Sequence, residues 1–211
     1  DVTNGPSPGE LMSLLREAEE RLRHHISTES IAEEPAIKSW REAYRSFGAR
    51  PSEFRSSVEA MARRVMRGDE LPSINALVDI GNIVSLSYLV PAGSHAIDVL
   101  RKDIGLRLAA GHEEFIPFGS TVVEHPSPGE VIFAEGDVVL TRRWTWRQAE
   151  HTLTLPETTA VEFNVDGLPP VARPEIEAAC EELALLVTRF CGGDTRTEFL
   201  TAAHPSLALT T

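Results

Sequence analysis

Cysteine is scarce in this sequence. Cys180 and Cys191 are the only two. On one helix their spacing sets them about 16 Å apart, beyond disulfide reach. A disulfide scaffold is therefore excluded. Two thiols without metal-ligand spacing suit a reducing cytoplasm, and a cytoplasmic location is expected. Long apolar runs are also missing. None approaches the roughly 18 residues of a membrane-spanning helix. The first residues, Asp1-Val2-Thr3-Asn4-Gly5, lack a basic region followed by an apolar core, so no signal peptide is expected. Positive charge is in deficit: 20 Lys and Arg face 32 Asp and Glu, a formal charge of −12. That excludes broad, nonspecific nucleic-acid binding of the kind a basic surface gives. No internal repeat, low-complexity tract or nucleotide-activation motif is present.

The charge is uneven. Residues 38–67 hold the bases Lys38, Arg41, Arg45, Arg50, Arg55, Arg63, Arg64 and Arg67 against only Glu42, Glu53 and Glu59. A local cationic face is compatible with the acidic whole, and phosphate is the natural client of Arg63, Arg64 and Arg67 if they are not simply solvated.

Helical periodicity fills the first half of the chain. Ser7-Pro8-Gly9-Glu10 reads as a capping box opening a helix to about residue 24, with Leu11, Leu14, Leu15, Ala18 and Leu22 on one face. His24 and His25 point apart on a helix and have no third partner, so no metal is assigned to them. Residues 37–47 form a second helix with Trp40, Tyr44 and Phe47 on a core stripe. Ser56-Ser57-Val58-Glu59 is another capping box. After residue 98 the period becomes that of strands: 104–109, 114–118, 131–134, 138–144, 152–155 and 159–165. Glu135-Gly136-Asp137 is a hairpin signal. A last helix covers 174–190, with Ile176, Cys180, Leu183, Leu186 and Val187 packed. Helices first and strands later give an α+β domain, N-terminal helices on a mostly antiparallel sheet. The 211 residues suffice for a domain at 37–211 preceded by a helical extension at 1–36.

Residues 71–98 organise the rest. Ser73 can cap a helix on which Ile74, Leu77, Val78, Ile83 and Val84 recur at helical spacing. Asn75, Asp79 and Asn82 ride on the same helix, either as site groups or as partners for buried backbone. Pro91 and Gly93 stop it, and His95 and Asp98 follow in a loop. This succession of Ile74, Asn75, Val78, Asp79 and Asn82, then His95, Ala96 and Asp98, resembles the B3/B4 editing domain of the phenylalanyl-tRNA synthetase beta subunit. The similarity covers roughly residues 38–169, and freestanding relatives of that domain are similar from residue 40 to residue 71.

The resemblance implies hydrolysis of an amino acid wrongly esterified to tRNA, with tRNA as partner and no metal or cofactor. It places His95, Asn82 and Glu162 as catalytic residues. His95 orients water or the terminal ribose, Asn82 offers donor and acceptor, and Glu162 holds the substrate ammonium, unless it is an outward strand carboxylate. Asn75, Asp79 and Gly81 are the pocket residues it adds. Residues 141–147 read as one strand, with Arg142, Trp144 and Trp146 on one face and Arg143, Thr145 and Arg147 on the other. Guanidinium and indole suit stacked bases and phosphate; the alternative is a ladder that packs the sheet. Arg142, Arg143 and Arg147 are therefore expected to bind RNA more strongly than Arg16, Arg21 and Arg23. No Ser or Cys has a base at recognisable spacing, so a water-based mechanism is expected.

Three departures stand out. Gly81 replaces the hydroxyl residue of the synthetase, the loop before His95 is longer, and the Arg–Trp strand replaces a glycine-rich segment. They leave the amino acid open. The rival readings are a noncatalytic tRNA-binding module and a small-molecule hydrolase or binding protein.

Overall fold

A computed structural model describes residues 1–27 and 31–209. Four helices lead: α1 (Gly9–His25), α2 (Pro35–Ser46), α3 (Ser57–Met66) and α4 (Ala76–Tyr88). Six strands follow: β1 (Ala92–Ala96), β2 (Ile104–Leu108), β3 (Val131–Glu135), β4 (Val138–Arg142), β5 (Arg147–Gln148) and β6 (Val161–Val165). The helix α5 (Arg173–Cys191) comes last and carries both free cysteines. The fold is α+β, but the strands make two antiparallel sheets rather than one. β1 pairs with β6, and β2-β3-β4-β5 form a four-stranded sheet. No helix among the described residues is long and apolar enough to cross a membrane.

The main core joins Leu11 and Leu15 of α1, Trp40 and Tyr44 of α2, Leu77, Ile80 and Val84 of α4, and Leu183 and Leu186 of α5. The first helix is thus part of this core. A smaller core joins Ile132 and Val139 of the four-stranded sheet to Phe115.

The helix starts correct three local expectations. Ser7 does not cap α1; its hydroxyl donates to Asp79 Oδ2 at 2.6 Å. The cap of α4 is Asn75, not Ser73: its Oδ1 accepts from Val78 N–H at 3.0 Å, while its Nδ2 donates to the Thr154 carbonyl at 2.8 Å. Ile74, just before that cap, is therefore off the apolar face and 61% exposed. At α3 the box is half made. Ser56 accepts from Glu59 N–H at 3.4 Å, but the buried Glu59 carboxylate binds Arg41 at 2.6 Å and Arg63 at 2.9 Å.

Among the strands, the hairpin at Gly136 forms as expected between β3 and β4. Residues 152–155 are irregular, and 114–118 makes only single-pair contacts, such as Phe115 with Glu124. The strand expected to run to Trp144 ends at Arg142, because Arg143 (φ 48°) and Trp144 (φ 65°) turn left-handed. Such angles are strained for a bulky residue and persist where neighbours fix them. Here Trp40 packs edge-on against Trp144, Tyr44 hydrogen-bonds Thr145 Oγ1, and Ser57 N–H donates to the Thr145 carbonyl.

Gly81 sets how closely α4 approaches the β1–β6 ribbon. A Cβ there would lie 2.8 Å from the Ala92 carbonyl oxygen and 3.5 Å from the Phe163 ring. The helix propensity of alanine is worth about 1 kcal/mol over glycine, whereas overpacking costs about 1–3 kcal/mol. Gly81→Ala is therefore expected to lower stability in urea unfolding. A raised stability would show that α4 and β1 have slack between them.

Candidate functional site

The polar site follows from the two-residue period of β6. Its sequence Val161-Glu162-Phe163-Asn164-Val165, continued by Asp166, alternates apolar and polar. Val161, Phe163 and Val165 pack on the helical core. Glu162, Asn164 and Asp166 share the opposite face. Register then sets His95 of β1 directly across from Glu162. Residues so paired carry their side chains on one side of the ribbon, within reach of each other.

His95 is 4% exposed. Its Nδ1 lies 2.7 Å from Glu162 Oε1, and its Nε2 lies 2.9 Å from Thr141 Oγ1 on β4. An ionised carboxylate can only accept, so Nδ1 carries a proton; in the neutral ring Nε2 then accepts from the Thr141 hydroxyl. The second Glu162 oxygen accepts from Asn164 Nδ2 at 2.7 Å. The result is a carboxylate–imidazole–hydroxyl chain bridging the two sheets. Nearby, Asp98 ties the ribbon end: it accepts from Thr159 N–H at 2.7 Å and from its hydroxyl at 3.1 Å.

This chain opens on a cleft of about 170 Å³ between the sheets. One wall is Gly93, Ser94, His95, Asn164 and Asp166; the other is Thr141 and residues 144–148. Two buried side-chain atoms of this lining lack hydrogen-bond partners: the donor Trp144 Nε1 and the acceptor Asn164 Oδ1. Burial pushes the Asp166 carboxyl up to about 6, and the Glu162 charge adds to this. The Trp144 indole N–H offsets part of it, without closing a hydrogen bond of normal geometry. Among the described residues, no cluster of three or more His, Cys, Asp or Glu could hold a metal ion.

The B3/4 domain profile matches residues 39–192 of the 211-residue chain. The chain belongs to the B3/4 domain family. It is a phenylalanyl-tRNA synthetase beta-subunit-like domain. A search of curated proteins returns no match.

Within this B3/4 domain the sequence candidates separate into two groups. His95 and Glu162 meet, and Trp144 and Trp146 line the cleft. The α4 candidates do not join them, because α4 packs behind the ribbon, on the apolar side of β6. The cleft lies between the sheets, not between helix and sheet. Asn82 is half-buried and outside the cleft lining. Asn75 is the cap of α4. Asp79, fully buried, accepts from Ser7, from Ser73 at 2.5 Å and from Ile74 N–H at 3.2 Å. Gly81 is a packing contact.

The arginines also need correction. Arg142 is buried in a two-pronged pair with Glu130, both contacts at 2.8 Å, and reaches Glu124 at 2.9 Å. Arg143 stacks 3.6 Å from the Phe54 ring centre and lies 3.5 Å from Glu130. Neither guanidinium faces outward for phosphate. Glu162 has both oxygens hydrogen-bonded and is not in the cleft lining, which sets it apart from the place expected for the substrate ammonium.

Thr141, Asn164 and Asp166 were missed as site residues. The alternation of Glu162, Asn164 and Asp166 was the available signal for the last two. Nothing in the sequence marks Thr141, since its partner lies 46 positions away.

Proposed function

We propose that this domain is a trans-acting editing hydrolase that cleaves the ester of a mischarged aminoacyl-tRNA. The observation that carries the reading is the Glu162–His95–Thr141 chain, buried at His95 and opening on the cleft. Glu162 fixes the imidazole tautomer and stabilises the imidazolium that forms when Nε2 takes a proton. The attacking water gives its proton to Thr141 Oγ, which passes its own to Nε2. The new bond joins the water oxygen to the acyl carbon. The ester bond to the ribose oxygen breaks, and that oxygen takes the proton back from His95. The indole N–H of Trp144, a buried donor that acts on Asp166 without closing a hydrogen bond of normal geometry, suits the acyl oxygen as negative charge develops there.

The reaction releases free amino acid and intact tRNA. The tRNA recovered after incubation is expected to accept its amino acid again in a charging assay. Truncated tRNA, or an aminoacyl bond that outlives the incubation, would speak against the reading.

The tRNA body is held, on this reading, by the outer arginines of residues 45–67 rather than by Arg142 and Arg143. Arg45, Arg50, Arg55, Arg64 and Arg67 are exposed, and Ser57, at the start of α3, lines the cleft. Each lost phosphate contact flattens the log–log salt dependence of binding by about one unit. Arg45→Gln and Arg50→Gln together are expected to flatten it measurably in filter binding. Arg142→Gln, if folded, is expected to leave it unchanged. The opposite ranking would return RNA recognition to the 142–147 turn.

A further inference from the structure

The cleft contains a place for a positive charge that nothing in the protein fills. Glu162 is not that place: it is outside the cleft lining, and its oxygens are turned to His95 Nδ1 and Asn164 Nδ2, each at 2.7 Å. Those bonds, however, fix the Asn164 amide. With Nδ2 held by Glu162, Oδ1 must face the other way, and it is buried without a partner. Two residues on, along the same strand face, stands Asp166. The charges acting on its carboxylate are Glu162, which repels it, and His95. No lysine or arginine is among them. Across the ribbon, Gly93 pairs with Asn164, and a Cβ placed there would meet nothing within 4 Å. Space is thus left open beside an unsatisfied carbonyl and an uncompensated carboxylate.

We propose that Asn164 and Asp166 form a subsite for a primary ammonium group, the α-amino group of the aminoacyl ester. This assignment rests on the deacylase reading above. The chemistry is selective. A quaternary ammonium brings charge but no N–H for Asn164 Oδ1. A hydroxyl satisfies Asn164 but leaves Asp166 without a counter-charge. A primary ammonium supplies both, with donors for a charge-assisted hydrogen bond to the carboxylate and a second bond to the amide oxygen. Trp144 and Trp146 border the same space. The subsite also fixes the ester relative to His95, because the α-amino group and the carbonyl are separated by one carbon.

The probes are 3′-amino-3′-deoxyadenosines acylated through an amide, which cannot be hydrolysed by ester cleavage. Each of a panel of amino acids is made with a free α-amine and as its N-acetyl derivative. Calorimetric titration is expected to show the free amine binding about tenfold or more tightly than its N-acetyl partner. Asp166→Asn, nearly isosteric, is expected to bring the two within about twofold, with its fold checked by thermal melting. Equal affinity of both forms for the unaltered protein would overturn the subsite and leave the deacylase reading standing. So would an Asp166→Asn variant that still discriminates. Absence of binding across the whole panel would overturn both. The comparison in the unaltered protein decides the matter even if the variant does not fold.

Discussion

Replacing His95 with alanine is expected to cut deacylation by about a hundredfold or more, the loss typical of removing a positioned polar catalytic group. The expectation follows from the pairing of Nδ1 with Glu162 and of Nε2 with Thr141. Without the imidazole, neither the proton relay nor the stabilised imidazolium exists. On the proposed reading the tRNA body is held by the outer arginines of residues 45–67, so its affinity is expected to change little. Stability is another matter. His95 lies on strand β1, not in a loop, and is 4% exposed. Its removal leaves Glu162 Oε1 and Thr141 Oγ1, both only partly buried, without their partner, at a cost of at most roughly 1–3 kcal/mol each. Rates must therefore be compared on protein shown to be folded by its near-ultraviolet spectrum. His95→Gln separates two roles. Glutamine can hydrogen-bond but cannot take up a proton near neutral pH. A rate restored by glutamine would mean that His95 positions groups and that the proton moves by another route. Full activity in both variants would remove His95 from the chemistry.

The largest stability effect is expected at Arg142. Its guanidinium bridges Glu130 and Glu124, and both Arg142 and Glu130 are buried. Such a pair gives little net stability over apolar residues of the same shape, but removing one member strands the other charge. Arg142→Ala is therefore expected to destabilise the fold by about 3–5 kcal/mol, read from the urea midpoint at unchanged slope. Glu130 keeps Arg143 at 3.5 Å, which holds the loss towards the lower end of that range. Arg142→Met combined with Glu130→Leu is expected to recover only part of the loss, because the buried carboxylate goes with its partner but Arg143 then loses the carboxylate it holds at 3.5 Å. A single Arg142→Ala change that leaves the midpoint in place would return Arg142 to the surface, where a phosphate could reach it.

Much of the helical half was legible. Trp40 and Tyr44 lie in the core because three- and four-residue spacing of large apolar groups leaves them no other face. The hairpin at Gly136 was legible because a short turn between β-rich runs is a local signal. The site was harder, because tertiary pairing decides it. Ala92-Gly93-Ser94-His95-Ala96 has little strand propensity of its own and becomes β1 through its ladder with β6. Asn75 and Asp79 looked like site groups because they are polar on an apolar helix. The structure gives them to backbone capping and to a carboxylate knot that anchors Ser7 and Ser73. The Arg–Trp stretch alternated like a strand. Contacts from α2 and α3, distant in sequence, instead hold it in a left-handed turn that sets Trp144 and Trp146 along the cleft.

The most direct measurement is the rate at which labelled aminoacyl-tRNAs, one amino acid at a time, lose their label in the presence of the protein. At least one is expected to be deacylated faster than its spontaneous blank, by an excess that disappears with His95→Ala. If every aminoacyl-tRNA decays at the blank rate while the protein is folded and binds tRNA, the Glu162–His95–Thr141 chain is not a deacylase site.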